Sequence, residues 1–261
     1  DVHDYQHKLT APERHVFENV LAYLTTSDIL AMRNIGLAVM EKMSAPEIQI
    51  YQARQVYEEA LHTWTYQHCI ESLGLDQQEI YNRYRVVPEI HGKIALANRR
   101  LEKVLRSDLD LTDRANLHEF ALSYFFFAVI FEGCWFYNGF TPIFALQRRG
   151  LMKGAAEQLQ YIMRDEVLHC AFGIRVIREL LAEENLSLDP AALRQLWDEA
   201  DAAETAYAAF ILSEPILGYN AEPGAENVLP WLDEQANLRK EKNFFETRVT
   251  EYQTGGALAW E

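Results

Sequence analysis

The chain has 261 residues, of which 49% are apolar, and this is enough for the core of one large domain or two small ones. Its formal charge of −15 argues against nucleic acid or an anionic membrane surface as the main partner, because both require clustered Lys and Arg. The three cysteines, Cys69, Cys134 and Cys170, form no CxxC pair, so we expect no disulfide framework, no zinc site and a reducing cytoplasm as the compartment.

Apolar residues recur at three- and four-residue spacing along the chain, whereas strand-like alternation is nearly absent. The sequence therefore predicts an all-α protein with helices at 11–24, 27–43, 46–73, 77–84, 88–106, 112–138, 141–148, 152–184, 189–213 and 229–251. Three segments place a capping side chain or a proline at a predicted first turn: Ser44-Ala-Pro-Glu47, Thr112-Asp-Arg and Asp189-Pro190. Helices of about 25 residues exceed the globular mean of about 11–12, which favours a helical bundle. No internal boundary is visible, so we expect a single domain over 1–261.

The longest apolar run covers 120–131 and precedes Glu132. It contains Ser123 and is too short and too polar to span a bilayer. We interpret it as a buried core helix and expect no association with a membrane. The start of the sequence shows no basic segment followed by an apolar one, so no secretory signal is expected.

The motif Glu-x-x-His occurs twice, as Glu59-Ala-Leu-His62 and as Glu166-Val-Leu-His169. On a helix, a spacing of three residues places the carboxylate and the imidazole on one face, so each pair can bind a metal ion. One such pair alone is more often a solvated Glu beside a core histidine. Two pairs are typical of di-iron carboxylate bundles, in which two further helices each supply an acidic residue.

Glu132 and Asp28 are the candidates for these two further acids. Glu132 follows the run Phe-Phe-Phe-Ala-Val-Ile-Phe, where an unpaired buried carboxylate would be strongly destabilising unless a metal ion bound it. Asp28 has the alternative role of a helix N-cap. Four carboxylates and two imidazoles suit two iron or manganese ions better than zinc, whose catalytic sites use fewer ligands. Oxygen activation is the chemistry expected of such a pair.

Tyr66 lies four residues after His62, on the same helix face and one turn further along. Its expected surroundings are apolar, because Phe136 and Phe140 follow Glu132 by four and eight residues and Ile162 precedes Glu166 by four. An oxidised phenol in such a place would be shielded from reductants in solvent. The alternative is ordinary aromatic packing in the core, and spacing alone favours that alternative.

These motifs together resemble the small, radical-bearing subunit of class I ribonucleotide reductase, in the ferritin-like superfamily. The resemblance covers nearly the whole chain and rests on four segments in the family's order and at its spacing: the helix with Asp28, Glu59-Ala-Leu-His62-Thr-Trp-Thr-Tyr66, Glu132-Gly-Cys-Trp-Phe136, and Arg164-Asp165-Glu166-Val-Leu-His169. It implies a ferritin-like bundle with a four-helix dimetal core and additional flanking helices.

The resemblance also assigns roles to individual residues. It implies that Asp28, Glu59 and His62 bind the metal nearer Tyr66, that Glu132, Glu166 and His169 bind the other, and that Glu59 and Glu166 bridge the two. Asp165 is expected to hydrogen-bond His62 and to link the site to the surface. The alternative for Asp165 is a solvated acid beside Arg164.

The implied function is to generate and store an oxidising equivalent. Two metal ions (Fe/Fe, Mn/Mn or Mn/Fe), with oxygen or an activated oxygen species, would oxidise Tyr66. The equivalent would then pass through His62 and Asp165 to the large catalytic subunit, which reduces ribonucleoside diphosphates or triphosphates. The sequences at 71–76 and 244–252 are most similar to a branch of the family that often has phenylalanine in place of the radical tyrosine. The alternative to a radical on Tyr66 is therefore an oxidising equivalent that stays on the metals.

The resemblance implies a homodimer, a large catalytic subunit as partner and, with manganese, an activating flavoprotein. The family's relay tryptophan would precede Asp1 and its docking tail would follow Glu261, so we expect both ends of the natural chain to be missing. A ferritin-like monooxygenase or ligand-binding oxidase is the alternative function and would need an open apolar channel to the metals. An iron-storage bundle is a further alternative and would have no need of Tyr66, Asp165 and Phe136.

Overall fold

A computed structural model describes residues 1–106 and 108–216, and every element within them is helical. The predicted all-α fold is therefore confirmed, whereas the predicted helix at 229–251 lies outside the described residues. The α-helices are α1 Val2–His7, α2 Ala11–Arg33, α3 Pro46–Ser72, α4 Gln77–Val86, α5 Pro88–Val104, α6 Arg114–Phe125, α7 Phe136–Arg148, α8 Lys153–Glu183 and α9 Pro190–Ile211. Helices α3, α4, α5, α8 and α9 begin and end within two residues of the predicted bounds.

The predicted division between helices 11–24 and 27–43 is wrong, because α2 continues to Arg33 and then into a π-helical turn, Asn34–Val39. Side-chain hydroxyls in this stretch donate to carbonyls four residues earlier in the same helix: Thr25 to Leu21, Thr26 to Ala22 and Ser27 to Tyr23. These polar side chains are thus satisfied without ending the helix. Asp28 consequently lies inside α2 and is not an N-cap. The start of α2 is marked by Thr10 and Glu13, which form a reciprocal capping box.

The predicted break between 138 and 141 is also wrong, since α6, a π-helical segment Phe126–Trp135 and α7 follow one another without interruption. Pro142 lies inside α7 and cannot donate to the carbonyl of Asn138. The hydroxyl of Thr141 donates to that carbonyl instead, at 3.0 Å. A Cβ on Gly139 would lie 3.1 Å from Leu24, so glycine at this position allows α7 to approach α2 closely.

The continuous helix from Arg114 to Arg148 forms the centre of the bundle. By length and composition it is apolar enough to cross a membrane, but 94% of its most apolar window is buried within the fold. It packs against α8 at very short range, since a Cβ on Gly173 would lie 2.4 Å from the Cβ of Ala128. The central helix, α2, α3 and α8 therefore form the core of the bundle, and α5 and α9 pack at its flank.

Candidate metal centre

The six candidate ligands come from four helices of this core. Asp28 lies on α2, Glu59 and His62 on α3, Glu132 on the π-helical segment, and Glu166 and His169 on α8. All six are buried. They form two groups that share Glu59, each with potential ligand atoms within 4.8 Å of one another: Asp28, Glu59 and His62, and Glu59, Glu132, Glu166 and His169.

Both histidines point their Nδ1 atoms towards the carboxylates. Nδ1 of His62 lies 3.6 Å from Asp28, 3.5 Å from Glu59 and 3.2 Å from Glu166. Nδ1 of His169 lies 3.1 Å from Glu59, 3.2 Å from Glu166 and 3.4 Å from Glu132. Glu59 and Glu166 each present one oxygen to either imidazole, which is the placement that a carboxylate bridging two ions requires.

The polar atoms of this centre are incompletely hydrogen-bonded. Both oxygens of Asp28 and of Glu59, Oε1 of Glu166 and Nδ1 of His62 are buried and have no hydrogen-bond partner. Buried polar atoms without partners are strongly unfavourable, and buried carboxylates are normally paired or bound to a metal. Four carboxylates carry four negative charges, which two divalent cations would balance. The residues therefore fit a pair of metal ions.

The pKa values of these groups reflect their burial and mutual proximity. Burial, together with the charge of Glu59, raises the pKa of Asp28 well above its usual value, and burial raises the pKa of Glu132 to about 8. Burial acts in the same direction on Glu59, but the nearby imidazoles of His169 and His62 outweigh it and lower its pKa to about 2. Burial alone would lower the pKa of His62, yet its hydrogen bond with Asp165 and the nearby carboxylates of Glu166 and Glu59 raise that pKa well above its usual value. Such opposed shifts are expected where ionisable groups compete for charge in one small volume.

The outward-facing nitrogen of each imidazole also contacts a carboxylate. Nε2 of His62 lies 3.1 Å from Oδ2 of Asp165, whose side chain is 34% exposed. Nε2 of His169 lies 3.0 Å from Oε2 of Glu58. The first contact matches the one implied by the resemblance, and the relay role of Asp165 stays a prediction. Both outward contacts leave Nδ1 as the atom that faces the carboxylates.

Sequence reasoning missed three residues of α3 that adjoin the centre. The amide nitrogen of Gln55 donates to both carboxylate oxygens of Glu132, at 3.1 and 2.9 Å. Glu58 contacts His169, and Arg54 donates to Glu58 at 2.7 Å. Gln55 precedes Glu59 by one turn, so its spacing was a usable signal. Glu58 gave no such signal, because it is adjacent to Glu59 in sequence and its partner is 111 residues away.

Tyr66 is buried, and its hydroxyl has no hydrogen-bond partner. Burial raises its pKa well above the usual value, and the nearby charges of Asp28, Glu166 and Glu59 add to the shift. Phe136, Phe140 and Ile162 are buried in the same apolar core, and the rings of Phe136 and Phe140 stack with centroids 6.3 Å apart. The hydroxyls of Tyr23, Tyr51 and Tyr81 are also buried without a hydrogen-bond partner, so this feature alone does not separate Tyr66 from ordinary aromatic packing. The observation that links Tyr66 to the centre is the proximity of the carboxylates of Asp28, Glu59 and Glu166.

This fold and this centre define the class of ferritin-like proteins with a carboxylate-rich dimetal site. The sequence model of the family "Ribonucleotide reductase, small chain" matches residues 1–226, and the chain belongs to this family. The family predicted from the four motifs is thus confirmed. A curated relative, the ribonucleoside-diphosphate reductase subunit beta of Chlamydia pneumoniae, is 35% identical over 97% of this chain and 80% of its own length.

Solved structures support the same fold. The ribonucleotide reductase R2 subunit from Clostridium botulinum superposes with a TM-score of 0.73 at 22% identity, covering 84% of this chain and 68% of its own. An R2-like ligand-binding oxidase with an aerobically reconstituted Mn/Fe cofactor gives a TM-score of 0.59 at 17% identity, over 97% of this chain and 83% of its own. At these identities the likeness shows the ferritin-like fold alone.

Proposed function

We propose that this chain is the small subunit of a class I ribonucleoside-diphosphate or triphosphate reductase and that it generates and stores the oxidising equivalent used by the large subunit. The observation that carries this proposal is the position of the buried phenol of Tyr66 beside the unsatisfied carboxylates of the centre. Membership of the ribonucleotide reductase small chain family supports it. The name of the Chlamydia relative favours the diphosphate as the substrate of the complete enzyme.

The chain's own residues have distinct tasks in this proposal. Asp28, Glu59 and His62 would hold the metal nearer Tyr66, and Glu132, Glu166 and His169 would hold the other. A bound pair of iron ions, of manganese ions or of one each would supply a strong oxidant, with oxygen or an activated oxygen species as its source. Tyr66 would give up one electron to that oxidant, and an oxygen of Asp28 is the nearby candidate to accept its hydroxyl proton. The buried apolar residues Phe136, Phe140 and Ile162 exclude solvent reductants.

Transfer of the oxidising equivalent to the large catalytic subunit would begin at His62. Its outward nitrogen contacts Asp165, which is partly exposed, so this pair leads from the centre to the surface. Cys69, Cys134 and Cys170 form no disulfide among the described residues, and the cytoplasm is the proposed compartment. The described residues share one continuous core, which supports a single domain over 1–261. An activating flavoprotein would be required only for a manganese pair.

The proposed homodimer has a suitable face on α3. Four large apolar side chains point outward there, at spacings of three to seven residues: Ile50, Tyr57, Leu61 and Trp64. Trp64 is 67% exposed, and an exposed apolar stripe of this kind is typical of an interface. We expect Trp64→Lys to shift the protein from dimer to monomer in light scattering after size exclusion. Val86→Lys, at a 74% exposed position on α4, should leave the dimer intact. A dimer that persists in Trp64→Lys would contradict this placement.

The radical assignment is tested by electron paramagnetic resonance after metal loading and exposure to oxygen. We expect a tyrosyl signal that Tyr66→Phe abolishes. Tyr23→Phe is the matched control, because Tyr23 is equally buried on α2 and should retain the signal. A tyrosyl signal that survives Tyr66→Phe would refute the assignment. A metal-centred signal that Tyr66→Phe leaves unchanged would place the stored equivalent on the ions.

A further inference from the structure

The two imidazoles of the centre are anchored from outside in different ways. Asp165, which contacts His62, comes from α8 and is 34% exposed. Glu58, which contacts His169, comes from α3 and its side chain is only 11% exposed. Glu58 is also held from the far side by Arg54, one turn earlier on the same helix, at 2.7 Å. The carboxylate of Glu58 is therefore fixed between an imidazole and a guanidinium.

This anchoring determines which nitrogen of His169 is available to a metal. A carboxylate at Nε2 accepts a hydrogen bond, so the proton of the neutral ring resides on Nε2 and the lone pair resides on Nδ1. Nδ1 is the atom that faces Glu59, Glu132 and Glu166, at 3.1 to 3.4 Å. Without Glu58, the ring would lose both its orientation and its preferred tautomer.

We propose that Glu58, held in place by Arg54, is the positioning residue for His169 and sets the metal affinity of the position formed by Glu132, Glu166 and His169. The inference rests on the proposed function in that it requires a metal pair, but it does not require a radical. Because Asp165 anchors the other imidazole, each position has its own support. A change at Glu58 should act on one position of the pair.

Arg54 extends this support to the outer surface of α3. Its side chain is 64% exposed, and its guanidinium lies 5.6 Å from the centre of the Tyr57 ring, which belongs to the apolar stripe described above. The chain of contacts from the surface to the centre is thus Arg54, Glu58 and His169. Loss of Arg54 would leave Glu58 in contact with His169 but without its second partner. Metal binding should therefore weaken at the His169 position, and by less than when Glu58 itself is changed.

The experiment is anaerobic titration of the full chain with Co(II), read from the visible spectrum, with occupancy of each position measured in crystals by anomalous scattering. We expect Glu58→Gln to weaken binding at the His169 position by about 10–100-fold while binding at the His62 position changes by less than about threefold. Arg54→Gln should give a smaller loss at the same position. Asp165→Asn should reverse the pattern and weaken the His62 position.

Glu71→Gln is the matched control, because Glu71 is an exposed carboxylate on the same helix and accepts a hydrogen bond from Gln67. This variant should leave metal binding at both positions unchanged. Equal loss at both positions in Glu58→Gln, or no loss at either, would overturn the inference even if the tyrosyl signal is present. Failure of the unaltered protein to bind Co(II) would overturn the proposed function and this inference with it.

Discussion

Two clusters of buried charged residues lie in the same helical core, and their charge is balanced in different ways. In the first, the ammonium of Lys93 lies 2.5 Å from a carboxylate oxygen of Glu204, and both residues are buried. The same ammonium lies over three aromatic rings, at 3.7 Å from Tyr23, 4.5 Å from Tyr207 and 4.7 Å from Trp135. This cluster contains one charge of each sign and surrounds the cation with electron-rich ring faces.

The second cluster is the candidate metal centre, which has four carboxylates and no Lys or Arg among its six ligands. Its oxygens face one another, and several have no hydrogen-bond partner. The comparison shows that this core can hold charge when the counter-charge comes from a side chain. In the candidate metal centre four carboxylates face two imidazoles, so bound cations would complete the balance of charge.

The largest effect that follows from this comparison is stabilisation by metal. Cations that bind only the folded chain raise the free energy of unfolding by about 4 kcal/mol per position at a thousandfold excess over Kd. We expect thermal unfolding under anaerobic conditions to shift strongly upward with Mn(II) or Fe(II), and a chelator to reverse the shift.

Asp28→Asn is the control for this effect, since it keeps the shape of the side chain and removes one of the four charges. The metal-dependent shift should be smaller in Asp28→Asn than in the unaltered protein. The apo form of this variant should be at least as stable as the unaltered apo form, because a buried carboxyl group without a hydrogen-bond partner has been replaced by a neutral amide. An equal metal shift in both proteins would contradict the assignment of Asp28.

A smaller but still large loss of stability is expected when the cluster of Lys93 and Glu204 is changed. Burial lowers the pKa of Lys93 to about 8, so this side chain is still mainly charged at neutral pH. Lys93→Met would leave Glu204 buried and unpaired, and this should cost about 3–5 kcal/mol in urea unfolding.

The double variant Lys93→Met, Glu204→Met should recover most of that loss, since replacing both partners of a buried pair with apolar residues is often neutral. Metal addition should leave the difference between the single and double variants unchanged. If Lys93→Met left the free energy of unfolding unchanged, the two clusters would not differ in the source of their counter-charge.

Much of the fold could be predicted because its signals are local. The repeated Glu-x-x-His motif and regular apolar spacing located α3 and α8 to within two residues. The two wrong breaks arose from residues that usually end helices. In α2 the hydroxyls of Thr25 and Ser27 are satisfied by the helix itself, and in α7 the hydroxyl of Thr141 replaces the donor that Pro142 lacks. Such compensation depends on rotamers, which spacing does not reveal.

The candidate site was predictable to the extent that its residues lie one or two turns apart. Glu59, His62 and Tyr66 share a face of α3, so their proximity followed from the sequence. Glu58 and Lys93 gave no comparable signal, because their partners, His169 and Glu204, are each 111 residues distant. Contacts of this kind are fixed by tertiary packing alone.

Helix α3 carries the metal-facing residues on one side and the exposed apolar stripe on the other. A helix of 27 residues is a stiff rod, so a force applied to its outer side displaces its inner side as well. The same rod therefore couples the proposed dimer interface to the buried centre. A compound that binds beside Trp64 would compete with the second copy for this interface, and its action would not require metal chelation.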